Sequence, residues 1–169
     1  GKSASRGGNR AKARSLCPTL PASETRLATL CARSGTFISK SPHHMKKALS
    51  TAQAPAAIGP YSQAIEVNGT VYVSGQLPVD PATGEFVPGG IKELTHRSLT
   101  NLTNVLAEAG LTLDHVVKTT VFLADIADFA EMNEVYASFF KAPFPARSAM
   151  AVKTLPKGAR VEVECIAVR

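Results

Sequence analysis

Hydrophobic positions fall into recognisable periods only from residue 46 onward. QAIEV and VYVS read as two short strands joined by Asn68-Gly69, a dipeptide that favours the tight turn of a hairpin. DPATGEFVPGG follows, and its prolines and glycines mark a connector. Ile91, Leu94, Ser98, Leu99, Leu102, Val105, Leu106 and Ala109 then recur at steps of three and four, which predicts an amphipathic helix closed by Gly110. VVKTTVFLA is β-branched and of strand length. Asp128 stands where a helix cap belongs, three residues before Glu131, and Phe129, Met132, Tyr136, Phe139 and Phe140 form a second apolar stripe. PFPARSAMAV reads as another strand and LPKG as a turn. In the last strand Val161, Val163, Cys165 and Ala167 share one face, with Arg160, Glu162, Glu164 and Ile166 on the other.

The predicted order is β-β-α-β-α-β-β. Two striped helices and five strands fit an α/β two-layer sandwich, a single sheet with both helices on one face. The sheet's other face then needs a cover, and further copies of the chain in a closed ring supply one economically. There is no internal repeat at 20–50 residues.

Charge divides the chain at the same point. Residues 1–45 hold eight Lys/Arg and one acid, a net +7, while residues 46–169 hold eleven Lys/Arg and twelve Asp/Glu, a net −1. The overall +6 is therefore a property of the leader, and the folded part offers no basic stripe for nucleic acid. The leader is rich in Arg, Ser and Ala and poor in acids, the composition of an organellar transit peptide. The alternatives are an expression scar or sequence upstream of a start at Met45. Residues 1–45 are expected to be disordered and functionally separate from a domain at 46–169. The expected location is the cytoplasm, or a mitochondrial or plastid matrix if the leader is a transit peptide.

Other classes fall away quickly. No run approaches the roughly 20 apolar residues that span a bilayer. Cys17, Cys31 and Cys165 form no CxxC pair, so a reducing compartment is expected rather than a disulfide framework. His43 and His44 are adjacent, His96 and His115 stand far apart, and no ligand spacing for a metal results. One residue resists a purely structural account. Arg147 opens the apolar strand of PFPARSAMAVK, although a guanidinium is hard to desolvate and pairs best with a planar anion.

APAAIGPYSQAI, VSGQLPVDPATGE, VVKTTVFLADIADFAEMNEVY and PARSAMAVKTLPKGARVEVECIAV occur in that order. Over residues 46–169 the chain resembles the RidA family (also called YjgF), the reactive imine/enamine deaminases. The resemblance implies a chorismate-mutase-like subunit, a homotrimer with three sites at subunit interfaces, and hydrolysis of 2-imino acids such as 2-iminobutanoate and 2-iminopropanoate to 2-oxo acids and ammonia. It implies neither a metal nor any other cofactor.

Matched position by position, the resemblance makes Arg147 the ligand of the substrate carboxylate. It adds Tyr61 of GPY, Ser74 and Gly75 of SGQ, Asn133, and Glu162 as the water-activating carboxylate. Ala149 stands where many members have cysteine, so a thiol nucleophile or redox sensor is ruled out there; the main-chain carbonyl remains. Glu164 shares a strand face with Glu162, and periodicity does not choose between them. Glu164 is expected to be solvated. Two other functions compete: an endoribonuclease or translation inhibitor, disfavoured by the −1 core, and a non-catalytic trimer that binds small carboxylates.

Overall fold

The computed structural model describes residues 45–169. The leader expected over residues 1–45 therefore lies, except for Met45, outside the described residues, as do Cys17, Cys31, His43 and His44.

Six strands and two helices make up the fold: β1 (Lys47–Leu49), β2 (Ala64–Val67), β3 (Thr70–Gln76), α1 (Ile91–Glu108), β4 (Val116–Leu123), α2 (Phe129–Phe139), β5 (Ala146–Ala151) and β6 (Val161–Val168). They form one mixed sheet in the order β1-β2-β3-β6-β4-β5. β4 and β5 run parallel, as strands joined by a crossover helix must, and the other pairings are antiparallel. β1 was absent from the sequence reading; three residues, KAL, are too short to show a period.

Local chemistry accounts for the breaks. Asn68 and Gly69 both have positive φ, 53° and 76°, which matches the twist of a two-residue hairpin between β2 and β3. At the end of α1, Gly110 at φ 69° lets its own N–H reach the Ala107 carbonyl and that of Leu111 reach Leu106, at 2.9 and 3.0 Å. Asp128 does not cap α2 as expected. Its carboxylate instead takes two bonds from the Arg160 guanidinium, at 2.6 and 3.2 Å, tying the start of α2 to the start of β6. The capping in this region belongs to Asp125, which accepts from the Ala127 N–H at 2.9 Å.

Both helices cover one sheet face. Leu99, Leu102, Val105 and Leu106 of α1 and Met132 of α2 are fully buried against Val71, Val121, Val161, Val163 and Ala167. The opposite face carries Glu162, Glu164 and Ile166 half-buried and Tyr72 half-exposed, with no element of the described residues packed over it. Between its pairings Val73–Cys165 and Gln76–Val163, β3 sets Ser74 and Gly75 against Glu164 alone. This is a β-bulge, and the site is built around it.

Candidate active site

The bulge forms the floor of a cavity of about 660 Å³, lined by Tyr61, Ser74, Gly75, Lys157, Glu162 and Glu164 among others. Gly75 is needed for its smallness. A Cβ there would lie 2.7 Å from Glu162 Cδ, so only glycine lets the carboxylate rest across β3. Ser74, the other bulge residue, lines the same cavity. Its hydroxyl donates to the Ser62 carbonyl at 2.7 Å and its N–H to the Gln63 carbonyl at 3.0 Å, which fastens the segment carrying Tyr61. The Tyr61 ring stands half-exposed at the mouth.

Gln63, which sequence reasoning missed, is buried beneath that segment. Its amide donates to the carbonyls of Thr51, Ala54 and Pro55, and its Oε1 accepts from the Thr51 N–H. A wholly satisfied glutamine therefore fixes residues 51–55, and Pro55 is part of the cavity wall.

Among the described residues Glu162 has neither a hydrogen-bond donor nor a cation as partner. Burial, and secondly the negative charge of Glu164, push its carboxyl above the ordinary range. Glu164 is half-buried on the wall of the same cavity, which corrects the expectation of a solvated residue. Two carboxylates facing one cavity suit proton transfer and oppose the binding of a polyanion.

Arg147 lies elsewhere. β5 is the edge strand, two positions from β6, and Arg147 is in register with the buried Thr119 on the helix-covered side. Its guanidinium sits 4.4 Å from the centroid of the Tyr136 ring and 5.7 Å from that of Phe129, and donates to Asn133 Oδ1 at 2.8 Å. Among the described residues no carboxylate pairs with it. Ala149, two residues on, packs against the core on the same side. A half-buried guanidinium with an aromatic bed and no counter-ion has the chemistry to take a small planar anion.

One chain thus brings Tyr61, Ser74, Gly75 and Glu162 together, and separately Arg147, Asn133 and Ala149. The two groups lie on opposite faces of the sheet, with β6 and β5 roughly 10 Å apart at ordinary strand spacing. The aromatic bed was hidden in the sequence, because Phe129 and Tyr136 fit the apolar stripe of α2. Asn133 was the available signal, a polar residue between them on the same helical face.

Among the described residues no group of three or more His, Cys, Asp and Glu could hold a metal ion. Cys165 is buried in the core, with its thiol pushed up to about 12 by burial, and is chemically inert.

Known proteins match this chain in sequence and in fold. The family model described as Endoribonuclease L-PSP covers residues 51–169. The 2-iminobutanoate/2-iminopropanoate deaminase of Bos taurus is 55% identical over 125 residues, 74% of this chain and 91% of that protein. Reactive Intermediate Deaminase A, chloroplastic, of Arabidopsis thaliana is 49% identical over 122 residues, 72% of this chain and 65% of that protein. Among solved structures, E. coli TdcF with bound serine superposes with a TM-score of 0.70 at 44% identity, covering 73% of this chain and 98% of that one. With the family model matched over residues 51–169 and relatives at about half identity over most of their length, the chain belongs to the Endoribonuclease L-PSP family, the RidA (YjgF) family of reactive imine deaminases.

Proposed function

We propose that the protein hydrolyses small 2-imino acids, such as 2-iminobutanoate and 2-iminopropanoate, to 2-oxo acids and ammonia. The Arg147 guanidinium carries this reading. It is half-buried, stacked on Tyr136 and unpaired with any carboxylate of the described residues, so its planar fork is free for a carboxylate next to a C=N bond. Curated relatives at about half identity bear the name of this activity.

The chemistry asks little beyond positioning. A protonated 2-imino acid is already electrophilic at its imine carbon. Glu162 takes a proton from a water as the water oxygen bonds to that carbon, giving a carbinolamine. Glu162 passes that proton to the nitrogen, and as the C–N bond breaks and ammonia leaves, the freed carboxylate takes the hydroxyl proton so that the C=O bond forms; the proton then goes to ammonia as ammonium. A carboxyl held above its ordinary range is matched to both halves of that exchange. Tyr61 closes the mouth of the cavity, and its hydroxyl can donate to the bound substrate.

The two groups of residues are united between copies of the chain. In a homotrimer the edge strand β5 of one subunit, with Arg147, Asn133 and the main chain at Ala149, faces the cavity of the next, with Tyr61, Ser74, Gly75 and Glu162. The uncovered sheet face supports such a ring. The basic leader, together with a relative named chloroplastic, supports delivery to an organellar matrix.

The test is a coupled assay in which a dehydratase generates 2-iminobutanoate and its decay is followed with and without the protein. Accelerated formation of 2-oxobutanoate and ammonia is expected. Decay at the buffer rate, with an intact trimer present, would falsify the deaminase reading and favour the carboxylate-binding one.

A further inference from the structure

The guanidinium of Arg147 needs a fixed plane if it is to meet a carboxylate with two parallel bonds, and an edge strand is a poor place to find one. Asn133 supplies one hydrogen bond, which leaves the plane free to turn about it. Phe129 adds a more distant aromatic contact at 5.7 Å, and the closest restraint is the Tyr136 ring, 4.4 Å away. That ring is itself unusually constrained. Its hydroxyl shares a buried 2.8 Å hydrogen bond with Thr119 Oγ1, and the ring also stacks on Phe140 with centroids 4.5 Å apart. Thr119 is fully buried in the middle of β4, directly beside Arg147 in the parallel register.

We propose that Tyr136 and Thr119 form a positioning pair for substrate binding, in which the Thr119 hydroxyl locks the Tyr136 ring as the platform that sets the orientation of the Arg147 guanidinium. Neither residue touches substrate in this arrangement. On the core face of β4, beside Val121 and Leu123, a buried threonine is there for its hydroxyl, since valine would fill the same volume without one. The platform serves as much by shape as by charge: a guanidinium slides over an aromatic face in one plane and resists tilting out of it.

The inference rests on Arg147 binding the substrate carboxylate, and the experiment separates the two. In the full-length protein, Tyr136→Phe and Thr119→Val each remove the same hydrogen bond while keeping ring or volume. Each should raise KM for 2-iminobutanoate about 2- to 10-fold, the worth of one such bond, with kcat within about twofold. The double variant should be no worse than either single one, because the bond is lost only once. Thr119→Ser, which keeps the hydroxyl, should restore KM. Tyr136→Leu, which removes the aromatic face, should raise KM further, by up to about 30-fold.

Binding of 2-oxobutanoate, measured by calorimetry, should weaken in the same order. Single variants with lowered thermal stability but unchanged KM and unchanged 2-oxobutanoate affinity would make the pair a core contact only and overturn the inference. A wild-type protein that neither hydrolyses the imine nor binds 2-oxobutanoate would overturn the reading of Arg147, and this inference with it.

Discussion

Charge at Arg147 is not enough for the role proposed, because the geometry is that of a plane held from two sides. Lysine would keep the charge and lose both the fork and the stacking on Tyr136. Arg147→Lys is expected to be nearly as damaging as Arg147→Ala. Removing a bidentate contact of on the order of 2–4 kcal/mol predicts a loss of roughly 30- to 1000-fold in kcat/KM, and near-wild-type rates in the lysine variant would reduce Arg147 to a general positive potential. Glu162→Gln keeps shape but removes the basic oxygen, so kcat should fall about 100-fold or more with KM little changed.

The raised carboxyl of Glu162 also fixes two signs. As a base it works deprotonated, so the rate rises with pH through its raised pKa. Glu164→Gln removes one cause of that shift and should move the acid limb of the profile to lower pH, while leaving the plateau within about threefold. For stability, the folded chain binds the Glu162 proton more tightly than the unfolded chain does. Stability is therefore lost as pH rises from the ordinary carboxylate range through the raised value. Glu162→Gln should unfold at a higher temperature than wild type at neutral pH, and the advantage should vanish in acid. A destabilised glutamine variant at neutral pH would mean that the carboxylate has a partner after all.

Among the elements, the bulge in β3 is the one on which the site most depends. Gly75→Ala needs no forbidden backbone angle, but its Cβ would displace the Glu162 carboxylate. Because the displaced group is the end of a flexible side chain, the cost should fall on kcat, about 10-fold or more, and lightly on thermal stability; a variant with normal kcat would show that the glycine matters only as backbone. The bulge was not legible in the sequence, since Gly75 read equally well as the end of a strand. The strands around it were legible wherever one face is buried, as in β6, where the alternation of Val161, Val163, Cys165 and Ala167 gave the core face directly. The stripe of α1 was legible for the same reason, down to the buried Ser98. What stayed hidden depended on contacts distant in sequence. Asp128 looked like a cap until Arg160, 32 residues on, took its carboxylate. Tyr136 looked like core until Arg147 was laid across it. Local patterns record which face of an element is buried, but not which polar group waits on the other side.

At the scale of the whole molecule, the family match begins at residue 51 and the described fold at 45. A chain starting at Met45 is expected to keep both its rate and its oligomeric state, and loss of either would join the leader to the function. Sedimentation should give a trimer, and an active monodisperse monomer would refute the shared site. The placing of Arg147 and Glu162 on opposite faces of one sheet has a further consequence. If each site borrows its arginine from one subunit and its glutamate from the next, then two dead proteins can repair each other. Arg147→Ala subunits retain a sound cavity, and Glu162→Gln subunits retain a sound guanidinium. Unfolded together in equal amounts and reassembled, they should yield mixed rings in which roughly a quarter of the interfaces join one intact half to another. Activity should emerge from a mixture of two inactive preparations, as complementation between alleles does in a cell.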